Sequence, residues 1–420
     1  MPGISTFHQV HVHTDYSILD GTGFVEEYVD LAIKNKMGYV CVSDHGMAGA
    51  WPALMDTCEK KGVRPVYGVE LYLNDYNKLV PEFSKLSDDM KAKVRQSNHM
   101  LVFAETERGY SNLIRLVSKA WESGFYYNPR VSWEELCEHS EGLVCTTGCL
   151  ASPINRLISR ESPGKAKDLL KQWHEVWKGR MWVEWQMIDV PDQDANNPHL
   201  MYMAEELDIP PIITNDVHYA LPEHAYLQKV QLLIQSQGGT VQNPRGLVFD
   251  STCHWYKNEH DMDEMWDGKY RSLMGANDDF YMRSKRATLD LCQRCGFVTP
   301  DRSPKLPIVD NADEKMRSIC YDALKKLGLD TPVHRARVEE ELYLISKKGF
   351  SSYFLLQRDI ISKAVRKEMK SDVGPGRGSV GGCFTAFLMG ITKLDSVRHG
   401  LLFSRFLSPS RGGCQMCLRV

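Results

Sequence analysis

Between His11 and His218 the chain alternates short apolar runs with amphipathic stretches, and most apolar runs meet an imidazole, a thiol or a carboxylate at one end. His11-Val-His13 comes first, with Asp20 shortly after. In extended backbone, residues i and i+2 face the same side, so His11 and His13 can ligate one ion together. An isolated His-x-His is as often a plain exposed strand, and the weight comes from the other runs of the chain. Asp44-His45 follow Tyr39-Val-Cys-Val-Ser43, and Glu70 ends Pro65-Val-Tyr-Gly-Val69. His99 precedes Met100-Leu-Val-Phe103, Cys149 sits past Gly142-Leu-Val-Cys-Thr-Thr147, and Asp216 and His218 close Pro211-Ile-Ile-Thr-Asn215. Stretches such as Val25–Lys34 repeat apolar residues three and four apart, which predicts helices between the strands. Strand and helix in alternation imply a parallel sheet or barrel, with the chemistry where strands end and loops begin.

The order His11-x-His13, Asp20, Asp44-His45, Gly68-Val-Glu70, Asn98-His99, Gly148-Cys149-Leu150 and Asn215-Asp216-Val-His218 resembles the polymerase and histidinol phosphatase (PHP) domain. The resemblance is to its form at the start of bacterial DNA polymerase III alpha subunits. It implies an α/β fold, a distorted seven-fold β/α barrel holding up to three divalent ions. Carried over by position, the metal ligands are His11, His13, Asp20, His45, Glu70, His99, Cys149, Asp216 and His218, with Glu70, Asp216 and His218 also catalytic. Asp44 is expected to orient an imidazole from outside that set. His11, His13, Glu70 and Asp216 would serve one ion, Glu70 would bridge to a second near Asp20 and His45, and His99 with Cys149 would serve a third. This mixed nitrogen, oxygen and sulfur set suits zinc or manganese better than magnesium.

A second block runs from Lys348-Gly-Phe-Ser-Ser-Tyr-Phe through Gly374-Pro-Gly-Arg-Gly-Ser-Val-Gly-Gly382 and Phe384–Thr392 to Leu402-Phe-Ser-Arg-Phe-Leu-Ser-Pro409. It resembles the beginning of the C-family polymerase palm, which implies an incomplete α+β domain with an exposed sheet edge. A glycine-rich turn lets backbone amides approach phosphate oxygens, so Gly376, Arg377, Gly378 and Ser379 are candidate phosphate- or nucleotide-binding residues. In the family a strand with catalytic aspartates follows, and those acids hold magnesium. Here no acid follows Asp395, and a frameshift, truncation or split gene is the expectation, with no primer extension by this chain. The expected organisation is therefore a barrel over 1–285, the start of the palm over 286–411 and an aberrant tail over 412–420, with a proline-marked crossing at Asp301–Pro307.

No run of eighteen apolar residues and no signal-like N-terminus is present, so a cytoplasmic protein without membrane contact is expected. Twelve cysteines in 420 residues read as buried thiols of a reducing compartment. Cys292/Cys295 and Cys414/Cys417 form Cys-x-x-Cys pairs, a weak case for a zinc site. The net charge of −3 conceals a basic C-terminal third, with Lys347-Lys348, Lys363–Lys370 and Arg398–Arg411. Such runs are usually solvated faces, although beside the glycine-rich turn they suit phosphate. The aromatic clusters Trp121–Tyr127 and Trp173–Trp185 read as packed core. Implied partners are a DNA primer-template, deoxynucleoside triphosphates, and other replisome subunits such as a sliding clamp or a separate exonuclease. The functional reading is a metal-dependent phosphoesterase, a 3′ to 5′ proofreading exonuclease, within a replicative DNA polymerase. The alternatives are an inert barrel that supports the polymerase or docks an exonuclease, and a small-molecule phosphatase.

Overall fold

The structure is a computed structural model that describes residues 4–235, 251–303 and 307–408. The Cys414/Cys417 pair, the 412–420 tail, Arg411 and part of the Asp301–Pro307 crossing lie outside the described residues. Two compact units follow the chain, residues 1–300 and 301–420.

The first unit is built on eight strands: β1 (Tyr39–Val42), β2 (Arg64–Leu73), β3 (Asn98–Ala104), β4 (Phe125–Tyr126), β5 (Asn128–Val131), β6 (Leu143–Thr146), β7 (Met181–Gln186) and β8 (Pro211–Thr214). The sheet order is β1-β2-β3-β6-β7-β8, and it curls until its ends meet across the segment around Val12. Val12 bridges Val217 just past β8, and its carbonyl accepts from the Ser43 amide just past β1, at 2.8 Å. Seven segments thus circle the interior. The expected Val25–Lys34 helix forms with those bounds, burying Val25, Tyr28, Val29 and Ala32.

Two-residue periodicity divides the inner face of this barrel into an apolar floor and a polar mouth. Val144 precedes Thr146 on β6, Trp182 precedes Glu184 and Gln186 on β7, and Ile212 precedes Thr214 on β8. The floor residues Val10, Cys41, Val66, Leu101, Phe103, Val144, Trp182 and Ile212 share one buried cluster with Ala287, Leu291, Cys292 and Cys295 of the helix Asp278–Cys295. That helix runs through residue 285, where the sequence reading ends the barrel, and belongs to the first compact unit. Cys292 and Cys295 are therefore apolar packing, their thiols pushed up by burial. On β2, Gly68 makes room for Phe103: a Cβ there would lie 2.5 Å from the Phe103 ring.

The sheet is not all parallel, as the alternation implied. β3 runs antiparallel to both β2 and β6, because the chain between β2 and β3 turns back through Asn77–Lys85 and Asp88–Arg95 at the same end of the sheet. The second correction concerns the aromatics. Trp173, Trp177, Trp182 and Trp185 are buried as expected, but Trp121, Phe125 and Tyr127 are 47, 53 and 76% exposed. Phe125 and Tyr127 sit on the short β4–β5 hairpin, which has no second layer over it, and Trp121 stacks on Phe125.

The second unit is helical throughout its described residues, without the strands and exposed edge expected of a palm. Its apolar residues repeat at helical spacing, Met316, Cys320 and Leu324 on Ala312–Leu327 and Val338, Leu342 and Ile345 on Pro332–Lys347, and they form one core. Buried Glu341 pins that core: its carboxylate accepts from the amides of Phe384 at 3.0 Å and Thr385 at 2.7 Å and from Arg337 Nε at 2.6 Å. The Asp372–Ser379 loop is exposed, apart from a half-buried Val373, and Gly376 and Gly378 take φ of +118° and +72°, which glycine adopts without strain. In the basic run, Lys363 pairs with Asp359 and Arg366 with Asp372.

Candidate metal centre

All nine candidate ligands converge at the polar mouth of the barrel, and Glu70 stands at the centre. Its Oε1 lies 3.5 Å from His11 Nε2, 3.1 Å from His99 Nδ1 and 3.3 Å from Cys149 Sγ. Its Oε2 lies 3.6 Å from His13 Nε2 and 2.7 Å from His45 Nδ1. Asp216 Oδ1 lies 3.1 Å from His11 Nε2, 3.3 Å from His13 Nε2 and 3.6 Å from His218 Nδ1, while Asp20 Oδ2 lies 3.1 Å from His45 Nε2 and 3.4 Å from His218 Nε2. The antiparallel β3 explains why His99 lies near the start of its strand whereas His45, Cys149, Asp216 and His218 lie just past the ends of theirs and Glu70 lies in the last half of β2. Register pairs Tyr72 with His99, so the beginning of β3 faces the end of β2.

The outer partners of the imidazoles decide what each ring can do. Glu184 Oε1 sits 2.6 Å from His11 Nδ1 and can only accept, so that nitrogen carries the proton. Ser17 donates its hydroxyl to Asp44 at 2.7 Å, so its oxygen accepts from His13 Nδ1 at 3.1 Å. The Asp216 carbonyl accepts from His218 Nδ1 at 2.8 Å and from His254 Nδ1 at 2.9 Å. His11, His13, His218 and His254 thereby aim Nε2 inward, where each neutral ring presents a lone pair, the state in which imidazole binds a metal. The residue supplying that shared carbonyl, Asp216, has φ +49°, a left-handed turn rare for a side-chain-bearing residue and found at functional sites. Asp44 orients an imidazole only through Ser17, and it also accepts from the Thr14 amide at 2.7 Å.

Charge at the site is self-contained. Burial lowers His13 to about 3, with His45 and His218 adding to the effect. Burial also acts on His11, but Asp216 and Glu184 outweigh it and raise that ring well above the usual range. His218 is likewise raised to about 9 against its burial by Asp20 and Asp216. For Glu70, burial opposes ionisation and the imidazoles of His99 and His45 overcome it, holding the carboxyl well below its usual value. Burial, then the charge of Glu70, pushes the Cys149 thiol up. The residues present fit divalent ions by the chemistry of the donor set: the Nε2 atoms of His11 and His13 lie 3.1 Å apart beside the carboxylates of Glu70 and Asp216, so that a cation can replace the proton between the rings. His13, His45 and His218, then His11, His13 and Glu70, then His45, Glu70 and His99 each bring donor atoms within 4.8 Å of one another, and so do Asp216, His218 and His254.

Sequence reasoning missed Glu184, Ser17 and His254. Glu184 carried a signal, a polar i, i+2 pair with Gln186 inside an apolar strand. His254 carried none, since it reaches the site through an irregular segment bridged at Tyr219 and Trp255. The candidate ligands other than His11 and His13 border a cavity of about 680 Å³ whose lining also includes Arg95, Arg156 and Arg160. The candidate phosphate residues Gly376 to Ser379 belong to the second unit.

Residues 9–187 match the PHP domain, and residues 313–414 match the bacterial DNA polymerase III alpha NTPase domain, which carries the likeness past Arg411. The chain is 29% identical to the DNA polymerase III subunit alpha of Aquifex aeolicus over 418 residues, 96% of this chain and 35% of that protein. It is 30% identical to those of Borreliella burgdorferi and Mycobacterium tuberculosis, over 97% of this chain and 34% of each. It thus spans about a third of the length of these relatives. Among solved structures, an amidohydrolase from Chromobacterium violaceum aligns at TM-score 0.32 and 12% identity, covering 50% of this chain and 87% of that one. A candidate metal-dependent phosphoesterase from Bifidobacterium adolescentis aligns at TM-score 0.34 and 15% identity, covering 62% and 95%. Over nearly its whole length the chain is thus similar to bacterial DNA polymerase III alpha subunits, matching the PHP domain in its first half and the NTPase domain in its last quarter.

Proposed function

We propose that the barrel is a metal-dependent phosphoesterase that removes nucleotides from the 3′ end of a DNA strand, and that it serves a replicative DNA polymerase. The observation that carries this reading is the set of inward Nε2 lone pairs fixed from outside by Glu184, Ser17 and the Asp216 carbonyl. A barrel kept only as a support has no need of rings fixed in that state. His11, His13, Glu70 and Asp216 would hold one ion, Glu70 would share a second with Asp20 and His45, and His99 with Cys149 would hold a third; zinc or manganese suits the set. Bound ions supply positive charge that polarises a phosphoryl oxygen and offsets the charge developing on it. Glu70 keeps the donors in place from the centre, and His218, whose Nε2 lies 3.4 Å from Asp20, can hold a proton at the cavity face whenever no ion takes that nitrogen.

In the second unit the exposed loop at Gly376, Arg377, Gly378 and Ser379 would bind phosphate of a nucleotide or of DNA, with magnesium at the polymerase site of a complete subunit. A DNA primer-template, deoxynucleoside triphosphates and neighbouring replisome subunits are the partners this implies, in the cytoplasm. No helix of the described residues is long and apolar enough to cross a membrane. The test assays the purified chain on a 3′-mismatched primer-template with manganese, with and without chelator, beside p-nitrophenyl phosphate and a metal analysis. Chelator-sensitive shortening from the 3′ end is expected. Substoichiometric metal with no hydrolysis would leave the supporting-barrel alternative, and hydrolysis of the monoester alone would make the site a small-molecule phosphatase.

A further inference from the structure

We propose that Arg95, Arg156 and Arg160 form an anion subsite on the wall of the metal cavity that takes a non-scissile phosphate, so that the substrate is an unpaired polynucleotide strand rather than a lone monoester. This rests on the phosphoesterase reading of the cavity floor. All three arginines line the same cavity as Glu70, His99, Cys149 and His218. Some arginines of this unit are matched by acids, Arg271 by Asp278, Arg283 by Glu205 and Asp279, Arg294 by Glu105, and others, Arg130 and Arg180, are spent on backbone carbonyls away from the cavity. Among the described residues no carboxylate pairs with Arg95, Arg156 or Arg160. Arg156 is held in place rather than neutralised. Its Nη2 donates to the Ser97 carbonyl at 3.0 Å, and the Ser97 hydroxyl in turn takes Asn128 Nδ2 at 3.1 Å. Burial, then the like charge of neighbouring Arg160, lowers its pKa. Arg95 lies with its guanidinium 4.9 Å from the Phe83 ring centroid, which fixes its plane without satisfying its charge.

Guanidinium groups match phosphate with paired N–H donors, and a cluster of them selects an anion of more than one charge. Ions bound by the candidate ligands would take the scissile phosphate, which leaves the arginines for the next one along a phosphodiester chain. A volume of about 680 Å³ is that of a site enclosing one small ligand, which suits a single-stranded end and not a paired one.

The probe is fluorescein-labelled (dT)4 on the full chain, read by anisotropy in excess chelator so that hydrolysis is off. Binding is expected to weaken as salt rises, with a slope of roughly 0.7 per phosphate engaged. Arg156→Gln and Arg160→Gln should each weaken it about tenfold and flatten that slope. Arg160 is exposed, so its variant tests the idea even if Arg156→Gln fails to fold. Arg108→Gln, whose exposed partner is Glu141, should bind as the parent does. With manganese, Arg160→Gln should cut kcat/KM for (dT)4 relative to p-nitrophenyl phosphate about tenfold, mostly through KM. Arginine-dependent binding without hydrolysis by any variant would keep the subsite and reject the phosphoesterase. Hydrolysis whose substrate ratio ignores both arginines, with unchanged (dT)4 affinity, would overturn the subsite and leave the phosphoesterase standing.

Discussion

Glu184→Gln is the substitution that most directly probes how the metal centre is held. Glu184 is fully buried on β7, and its carboxylate accepts from four donors: His11 Nδ1 at 2.6 Å, Thr214 Oγ1 at 2.6 Å, Gln186 Nε2 at 3.0 Å, and Thr146 Oγ1. No lysine or arginine is among them. Glutamine has the same shape, and its carbonyl can keep the His11 side while its amide faces Thr146, whose hydroxyl can rotate to accept. The packing should survive and the charge behind His11 should not. Outer partners of this kind change metal affinity by about 10- to 100-fold, or about 1.4–2.8 kcal/mol. Titration of zinc or manganese against a competing chelator should therefore show the dissociation constant rising by that factor, with a native circular dichroism spectrum. The companion Thr146→Val removes only the contact farthest from His11 and should have the smaller effect. If Glu184→Gln folds and binds ions as tightly as the parent, His11 is not a ligand whose ring Glu184 orients, and the tautomer argument fails.

Glu70→Ala should abolish hydrolysis and reduce bound metal by more than one ion per chain, since its two oxygens face five other candidate ligands, whereas His139→Ala, which loses a single contact to the Glu135 carbonyl, should be near neutral in both assays. Glu341→Ala strands two amides and Arg337 Nε inside the second unit, although Arg337 Nη2 keeps the Gly382 and Leu401 carbonyls, and should cost about 3–5 kcal/mol in urea denaturation. Burial disfavours the charge on Glu259, yet hydrogen bonds from Thr6, Ser5 and Lys285 bring its pKa down to about 2; the stability this confers is complete above the unfolded value near 4.3 and is lost as pH falls toward 2. Glu259→Gln should flatten the stability–pH curve in that window in chelator, and parallel curves would dismiss the linkage. Chelation itself should lower the melting temperature of the parent chain, because ion at a hundred times its dissociation constant adds about 2.7 kcal/mol to the folded state.

The sequence carries the ligands more openly than the frame that gathers them. His11-x-His13 works because a period of two is intrinsic to extended backbone, and each remaining ligand except Asp20, which lies in a turn, stands next to a run too apolar and too short to be anything but a buried strand. Strand direction is less visible. His99 comes before its apolar run while the others come at or after theirs, and only an antiparallel β3 can bring it to the same rim; the anomaly was present in the residues but needs the ring of strands to be read. Glu184 was hidden by its neighbours Trp182, Val183 and Trp185, which make β7 look like plain core. The exposed Trp121, Phe125 and Tyr127 were misassigned because aromatic content says nothing about whether a second layer covers a hairpin. In the second unit, resemblance suggested a sheet while the spacing of Met316, Cys320 and Leu324 spoke for helix, and local periodicity prevailed in the described residues.

Electrostatics argues against a barrel kept for its shape alone. Glu70, Asp20, Asp216 and Glu184 are gathered at one end of a barrel, and their ion-pair partners are imidazoles rather than lysines or arginines. Burying such carboxylates costs several kcal/mol each unless charge compensates it, and well-packed apolar residues of the same volume would make the unit more stable. In the chain without ions that compensation falls to protonated His11, His45 and His218, whose raised affinities for protons measure how strongly the site asks for positive charge. Divalent ions meet the same demand with two charges each and let every ring return to its neutral form. A fold that spends its stability in this way, then fixes four rings from outside so that each presents a lone pair, is organised around cations rather than merely able to tolerate them.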